Sequence, residues 1–237
     1  MPGYVYEEVE LDEDRTAFIV MHCWNIGCAD GPKLDPNFWV GMGFPETFAE
    51  AERIMRQVIL PSLRAARDAG MFVCHVEAKA ICDRRRGAGP GQAEGKGQTD
   101  PKPGWRRRIA ERSHGKDYES RSPLAELDRC SILEPLNGEP LVCQTQELQK
   151  VLEERKIENL IYTGFATDMC ILRAPGGIEE MAPLDYRLFL MRDATLGVEC
   201  PDTFAERLAT RWAIRYFETH FGDTVTSRDF IRACHLV

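Results

Sequence analysis

The chain has 237 residues, 43% of them hydrophobic, and carries a formal net charge of −8 at pH 7. This length and apolar content fit a globular α/β protein with one full core. The acidic balance excludes a general nucleic-acid binder, because a phosphate backbone would be repelled unless a basic face were segregated.

Nine cysteines are spread along the chain, and no two of them have the Cys-x-x-Cys spacing of a zinc site. The N-terminal region shows neither a secretion signal nor a long apolar span. We therefore expect reduced thiols, a cytoplasmic location, and neither a membrane nor a nucleic-acid partner.

Residues 1–15 are acidic and polar, and they predict an N-terminal arm to a single domain over residues 16–237. The continuous apolar run Thr16–Met21 predicts a central parallel strand. Ligands of open α/β sheets bind beyond the carboxyl ends of the strands, so His22 and Asn25 fall where a site is expected.

The stretch from Gly27 to Pro45 predicts a long loop that walls a pocket or packs on a partner subunit. It contains three aromatic residues, Phe38, Trp39 and Phe44. From Glu46 to Ala69 the apolar residues recur at helical spacing, with Pro61 as the expected kink or break.

A second buried strand is predicted at Met71–Val76, and the charged residues Glu77 and Lys79 follow its carboxyl end. The next segment, residues 82–121, is rich in glycine, proline and charge, and it predicts a surface insertion or lid. Its arginine clusters could contact an anionic substrate or an acidic neighbour, but a solvated loop of mixed charge is the favoured interpretation.

Further strands are predicted near Leu141–Cys143 and at Leu160–Tyr162, with a helix at Glu147–Lys156 between them. The second of these strands leads to Gly164, where the chain can turn sharply. Beyond the turn we predict a helix capped by Thr167 or Asp168, which puts Cys170 in its first turn.

Cys170 is the candidate nucleophile. The positive end of a helix dipole and free N–H groups lower the pKa of a thiol, and the same groups can hold an oxyanion. The alternative is that Cys170 is a small buried hydrophobic residue, as most intracellular cysteines are.

The C-terminal part continues the alternation of strands and helices. It predicts a strand at Tyr186–Met191, an amphipathic helix from Pro201, a short strand at Thr224–Thr226 and a helix capped by Ser227. The apolar face of the long helix is formed by Phe204, Leu208, Ala209, Trp212, Ala213, Tyr216 and Phe217. This alternation predicts a three-layer α/β/α fold with a doubly wound, mostly parallel sheet.

The octet Gly164–Ile171 resembles the G-x-A-T-[DN]-x-C-[VI] nucleophile segment of the isochorismatase-like cysteine hydrolases, which include nicotinamidases and N-carbamoyl amidohydrolases. Met21–Asn25 lies where that family has I-D-M-Q-N, Arg192–Thr195 resembles its later D-A-T, and Gly222–Thr226 resembles its closing strand. The resemblance covers nearly the whole chain outside the insertion.

The resemblance implies an Asp-Lys-Cys triad, a cis peptide at Phe165–Ala166, and an oxyanion hole from the N–H groups of Ala166 and Cys170. This chain departs from the family pattern at two positions. His22 occupies the aspartate position, where an imidazole can still accept a thiol proton. The lysine after the short strand is missing, because the chain there runs Cys-Gln-Thr-Gln-Glu over residues 143–147.

Glu77 and Lys79 could compensate from the neighbouring strand end, although a surface charge pair is the favoured account of them. The metal ligands of nicotinamidases, an Asp and two His after the second strand, have no match, so we predict no metal and no cofactor. The resemblance also implies a homo-oligomer. Positions beside the motif suggest Trp24, Phe165 and Met169 as pocket walls for a small, partly apolar substrate. Asn25, Glu77 and Lys79 are the further substrate-binding candidates.

Two functions stay open. The first is a cysteine hydrolase of a small amide or carbamoyl compound, with Cys170 forming a thioester and His22 as its base. The second is a catalytically silent member of the family that is retained for ligand binding or oligomer assembly. A dinucleotide-binding oxidoreductase is disfavoured, because no G-x-G-x-x-G follows the first strand.

Overall fold

The structure is a computed structural model that describes residues 5–33, 45–87, 104–114, 116 and 126–236. The predicted aromatic contact loop around Phe38–Phe44 and most of the 82–121 insertion lie outside these residues. Among the helices that are described, none is both long and apolar enough to cross a bilayer.

The described chain forms a six-stranded, all-parallel sheet in the order β3-β2-β1-β4-β5-β6. The strands are β1 Thr16–Met21, β2 Phe72–Val76, β3 Leu141–Val142, β4 Asn159–Phe165, β5 Arg187–Leu196 and β6 Gly222–Val225. The order reverses between β1 and β4, which is the switch point where ligands of such sheets bind.

The helices cover both faces of the sheet, which confirms the predicted three-layer α/β/α fold. Their bounds are α1 Pro45–Ile54, α2 Leu60–Asp68, α3 Lys79–Arg85, α4 Gly104–His114, α5 Thr145–Glu154, α6 Cys170–Arg173, α7 Ile178–Met181, α8 Leu208–His220 and α9 Ser227–Cys234. One core lies between the sheet and the helices α1, α2 and α9. The second core lies under α5, α6, α7 and α8.

The two central strands, β1 and β4, are buried along their whole length. They pair so that Met21 lies beside Gly164. Gly164 has a φ of +114°, and a Cβ on this residue would lie 1.8 Å from the carbonyl oxygen of Met21. Only glycine therefore permits this approach, which brings the carboxyl ends of β1 and β4 side by side.

The first crossover helix departs from prediction, because Pro61 does not break it. A π-helical turn at Met55–Ile59 joins α1 to α2, and Pro61 lies in the first turn of α2. The junction residues Ile54 and Ile59 keep right-handed helical backbone angles, so the helix continues, and the wide π-turn lies directly before the N–H that Pro61 lacks.

The C-terminal half contains three further corrections. Residues 201–207 form turns, so α8 begins at Leu208 and not at Pro201. Leu208 and Trp212 are about half exposed, whereas the prediction had turned them inward. The side chain that caps α9 is Thr226, which accepts a hydrogen bond from the Asp229 N–H, and not Ser227.

Candidate active site

Cys170 is the first residue of α6, directly after the turn that follows β4. The N–H groups of Met169 and Ile171 donate to the Ala166 carbonyl oxygen at 3.2 and 3.0 Å. These bonds fold the segment around Cys170 back onto the end of β4. The peptide between Phe165 and Ala166 is cis, as the family resemblance implied.

The predicted helix cap is wrong. Neither Thr167 nor Asp168 caps α6, because both side chains bind to the end of β5 and the residues after it. Thr167 Oγ1 lies 2.7 Å from Thr195 Oγ1, and Asp168 Oδ1 accepts from the Val198 N–H at 2.9 Å. The two bonds fix the turn before Cys170 against the neighbouring strand.

The pKa of the Cys170 thiol also differs from the prediction. Burial raises it, a hydrogen bond from the Ala166 N–H opposes the rise, and the carboxylates of Asp168 and Glu77 raise it further. The dipole of α6 lowers the pKa of this thiol only slightly, because the helix has only four residues. The resting thiol is therefore neutral at pH 7.

His22 follows β1 with a left-handed backbone conformation, φ 49°, and its side chain is buried. Burial, and then the positive charge of Arg129, lower its pKa to about 4, so the imidazole is neutral at pH 7. Its ring stacks on Trp24 with centroids 5.2 Å apart. Among the described residues, no group hydrogen-bonds to His22 Nδ1.

Glu77 is buried, which corrects its interpretation as half of a surface charge pair. It accepts a hydrogen bond from Trp24 Nε1 at 2.8 Å and forms an ion pair with Arg129. Burial raises the pKa of Glu77, while Arg129 and then Trp24 oppose the rise. Lys79 lies nearer the surface and pairs with Asp83 at 2.8 Å.

Arg129 is the site residue that sequence reasoning missed. Its side chain has no exposed surface, and its backbone forms an isolated antiparallel bridge with Trp24. Nη2 of Arg129 lies 2.7 Å from His75 Nδ1 and donates to the Leu133 carbonyl oxygen at 3.0 Å. No motif contains Arg129, and it lies outside every predicted strand and helix.

The polar network continues from Arg129 to the surface. His75 Nε2 lies 2.8 Å from Glu139, which also accepts two hydrogen bonds from Arg67. Burial lowers the pKa of His75 to about 4. Burial alone would raise the pKa of Glu139, but the hydrogen bonds from His75 and Arg67 hold it at about 2.

The remaining predicted site residues have different surroundings. The amide of Asn25 accepts from the Asp128 N–H at 3.0 Å and donates to the Asp30 carbonyl oxygen at 3.2 Å, so it holds the loop together. Phe165 belongs to the core, whereas the side chain of Met169 is 52% exposed. Their roles in substrate binding stay predictions.

Within the part of the chain that the structure describes, one group of side chains could jointly hold a metal ion, although the sequence predicted none. It consists of Cys28, Asp30 and Cys130, whose ligand atoms all lie within 4.8 Å of one another. The two sulfurs are 3.4 Å apart, which also fits a hydrogen bond between two thiols.

The chain is similar to known proteins in both sequence and fold. Residues 42–229 match the family described as Isochorismatase domain. The chain is 26% identical over 238 residues to the ureidoacrylate amidohydrolase RutB of Agrobacterium fabrum (strain C58 / ATCC 33970), covering 94% of this chain and 92% of that protein.

Among solved structures, a cysteine hydrolase from Pseudomonas syringae pv. phaseolicola 1448A superposes with a TM-score of 0.60 at 17% identity, covering 100% of this chain and 99% of the other. An isochorismatase (PP1826) from Pseudomonas putida KT2440 gives a TM-score of 0.56 at 16% identity, with 94% and 93% covered. At these identities the two structures support the fold.

Proposed function

This chain belongs to the isochorismatase domain family, and from that premise we propose that it hydrolyses a carbon–nitrogen bond of a small amide or carbamoyl compound through a thioester on Cys170. The observation that carries the proposal is the position of Cys170. Its thiol lies at the carboxyl end of β4 and receives a hydrogen bond from the Ala166 N–H.

The proposed first step needs a base, because the thiol of Cys170 is neutral at rest. His22 is suited to this role, since its neutral imidazole has an unpaired nitrogen and it follows the strand next to β4. As the sulfur attacks the substrate carbonyl carbon, His22 takes the thiol proton. The N–H groups of Ala166 and Cys170 stabilise the oxyanion that forms.

Collapse of this intermediate breaks the carbon–nitrogen bond. The leaving nitrogen takes the proton from His22 and departs as ammonia or an amine, which leaves an acyl or carbamoyl thioester on Cys170. Water then attacks the thioester carbonyl with His22 as base, and the thiol is restored. The cycle consumes one water for each bond that is cleaved.

The substrate class rests on the family and on one relative, the ureidoacrylate amidohydrolase. Its name points to a ureido or amide group, and we extend that class, not that compound, to this chain. Trp24 and Met169 are the candidate walls that keep exposed surface. Glu77 lies behind Trp24, so its role is to hold that wall and not to bind substrate directly.

A second candidate is a catalytically silent family member that binds a ligand or assembles with its own copies. Two observations favour it: the family's aspartate and lysine positions are not filled by those residues, and the pKa of Cys170 is raised.

Release of ammonia from small primary amides and N-carbamoyl compounds separates the two candidates. The hydrolase predicts turnover that Cys170→Ala abolishes and Cys234→Ala preserves, since Cys234 lies on α9 at the opposite face of the sheet. Turnover that survives in Cys170→Ala would contradict the proposed nucleophile. No turnover of any compound by the unmodified protein would favour the silent member.

A further inference from the structure

We infer that Glu77 and Arg129 are positioning residues of the Cys170 site: the pair fixes the Trp24 indole against the His22 ring and supplies a permanent positive charge whose field reaches that ring. The inference rests on the proposed function. It assigns the charges of the site to residues at the end of β2 and in the segment before β3, outside the nucleophile octet.

A continuous set of contacts joins the pair to His22. Arg129 bonds to Glu77, Glu77 accepts from the Trp24 indole at 2.8 Å, and the indole lies on the His22 ring with an interplanar angle of 19°. Because each partner is buried or half-buried, a change in Glu77 reaches His22 through the Trp24 side chain, and a change in Arg129 reaches it through Glu77 and Trp24.

The backbone reinforces this arrangement on both sides of the indole. Asn25 donates to the Asp128 carbonyl oxygen at 2.8 Å, and Cys130 donates to the Cys23 carbonyl oxygen at 2.8 Å. The segment that carries Arg129 is therefore attached directly to the segment that carries Trp24.

The energetics of the pair require an explanation. Neither side chain has exposed surface, and burying two charges costs several kcal/mol per ion, so a pair of apolar residues of similar size is often at least as stable. If the pair is purely structural, apolar residues can replace it without any effect on His22. If the pair positions the site, the same replacement changes His22.

The electrostatics distinguish the two ends of the network. The field of Arg129 reaches His22, whereas Arg67 acts at the far end, on Glu139 and His75. Among the described residues, the other ionisable groups at this edge of the sheet include Glu77, behind the indole, and the thiol of Cys170. The charge of Asp168 acts on that thiol, and the charge of Arg85 acts on Glu77. Replacing Arg129 should thus raise the pKa of His22, and replacing Arg67 should leave it unchanged.

The test measures the pKa of His22 by NMR of histidine ring carbons, with the signal assigned by loss in His22→Asn. The principal variant is Glu77→Gln with Arg129→Met, which removes both charges and leaves neither ion unpaired. We expect its His22 pKa to rise by about one unit, the lower end of the range for loss of a nearby charge. Arg129→Lys keeps the charge, and Arg67→Gln is the matched control; both should stay near the parent value.

The functional readout is the rate at which iodoacetamide alkylates Cys170 as a function of pH. If His22→Ala slows the reaction in the parent protein, the proposed pairing of His22 with Cys170 stands. In the double variant, the fall of the alkylation rate at low pH should then occur at a higher pH, displaced by the rise in the pKa of His22. Arg129→Lys should leave this part of the pH profile unchanged.

Different results would contradict the proposed function and the positioning role. An alkylation rate that is indifferent to His22→Ala contradicts the proposed function, whatever the pKa values are. A rate that depends on His22, together with a double variant that is folded by circular dichroism and has parental pKa and pH profile, overturns the positioning role alone.

Discussion

Trp24 donates its indole N–H to Glu77 at 2.8 Å while its ring stacks on His22. One side chain thereby connects a carboxylate at the end of β2 to an imidazole at the end of β1. The strands hold the backbone ends together, and Trp24 holds the two functional groups. Removing the hydrogen bond without removing the ring separates these contributions.

We predict that Trp24→Phe destabilises the fold by about 1.5 to 3 kcal/mol, because Glu77 loses a buried donor to a charged acceptor. The measurement is urea unfolding at pH 7. Trp212→Phe is the matched control: Trp212 is 54% exposed on α8, and we expect a change within about 0.5 kcal/mol. Equal effects of the two substitutions would contradict a special role for the Trp24 indole.

The ion pair of Glu77 with Arg129 should show strong coupling. Removal of either charge leaves the other buried and unpaired, and we expect each single variant, Glu77→Gln or Arg129→Met, to lose about 3 to 5 kcal/mol. The double variant should lose clearly less than the sum of the two.

A double-mutant cycle from denaturant unfolding measures this coupling. Lys150→Ala is the control, because the pair of Lys150 with Glu154 is exposed and 4.0 Å long, and its loss should change stability by less than about 0.5 kcal/mol. Additive effects of Glu77→Gln and Arg129→Met would show that the pair does not act as a unit.

Gly164→Ala tests the close approach of β1 and β4. A Cβ at 1.8 Å from the Met21 carbonyl oxygen cannot be accommodated without separating the strands, so we expect failure to fold or a loss above about 4 kcal/mol. Gly70→Ala isolates the backbone part of this effect, because Gly70 also has a positive φ but open space around it. We expect Gly70→Ala to lower the free energy of unfolding by about 1 to 2 kcal/mol. A mild Gly164→Ala phenotype would contradict the register of the two strands.

Stability should fall as the pH drops from 6.5 towards 4. His22 and His75 have folded-state pKa values of about 4 against an ordinary 6.5, so the unfolded chain binds more protons in this window. Each histidine can contribute on the order of 3 kcal/mol to the pH-dependent free energy of unfolding, from the full shift of its pKa on folding.

The Glu139 carboxylate acts at lower pH, because its pKa of about 2 makes its contribution present above 4.5 and lost as the pH falls towards 2. Urea unfolding at pH 7, 6 and 5 checks the histidine window. His22→Asn should flatten the slope by up to one proton. Equal stability at pH 7 and pH 5 in the unmodified protein would contradict the buried neutral histidines.

The parts of the fold that sequence predicted well are those with a continuous apolar signal. Thr16–Met21 is buried on both faces, so its composition alone indicates a central strand. Cys170 could be placed because Gly164 and the octet around it mark a turn after such a strand. Helix ends were less predictable, since Asp168 and Thr226 each had several possible partners for their side chains.

Contacts between distant segments could not be predicted. Glu77 was interpreted as a surface charge because a charged residue after a strand is usually solvated, and its buried partner Arg129 lies 52 residues away in an irregular segment. The pKa of Cys170 was mispredicted for a related reason: it depends on burial and on the length of α6, and neither is visible in the sequence motif.

Covalent catalysis by Cys170 is tested most directly by mass spectrometry of this residue during turnover. Cleavage after lysine and arginine gives a peptide of residues 157–173 in which Cys170 is the only cysteine. After acid quenching of a reaction with a turned-over amide or carbamoyl compound, we predict an acyl or carbamoyl adduct on this peptide, absent from the peptides that contain Cys200 and Cys234. A burst of released ammonia or amine during turnover, without any adduct on Cys170, would contradict covalent catalysis by this residue.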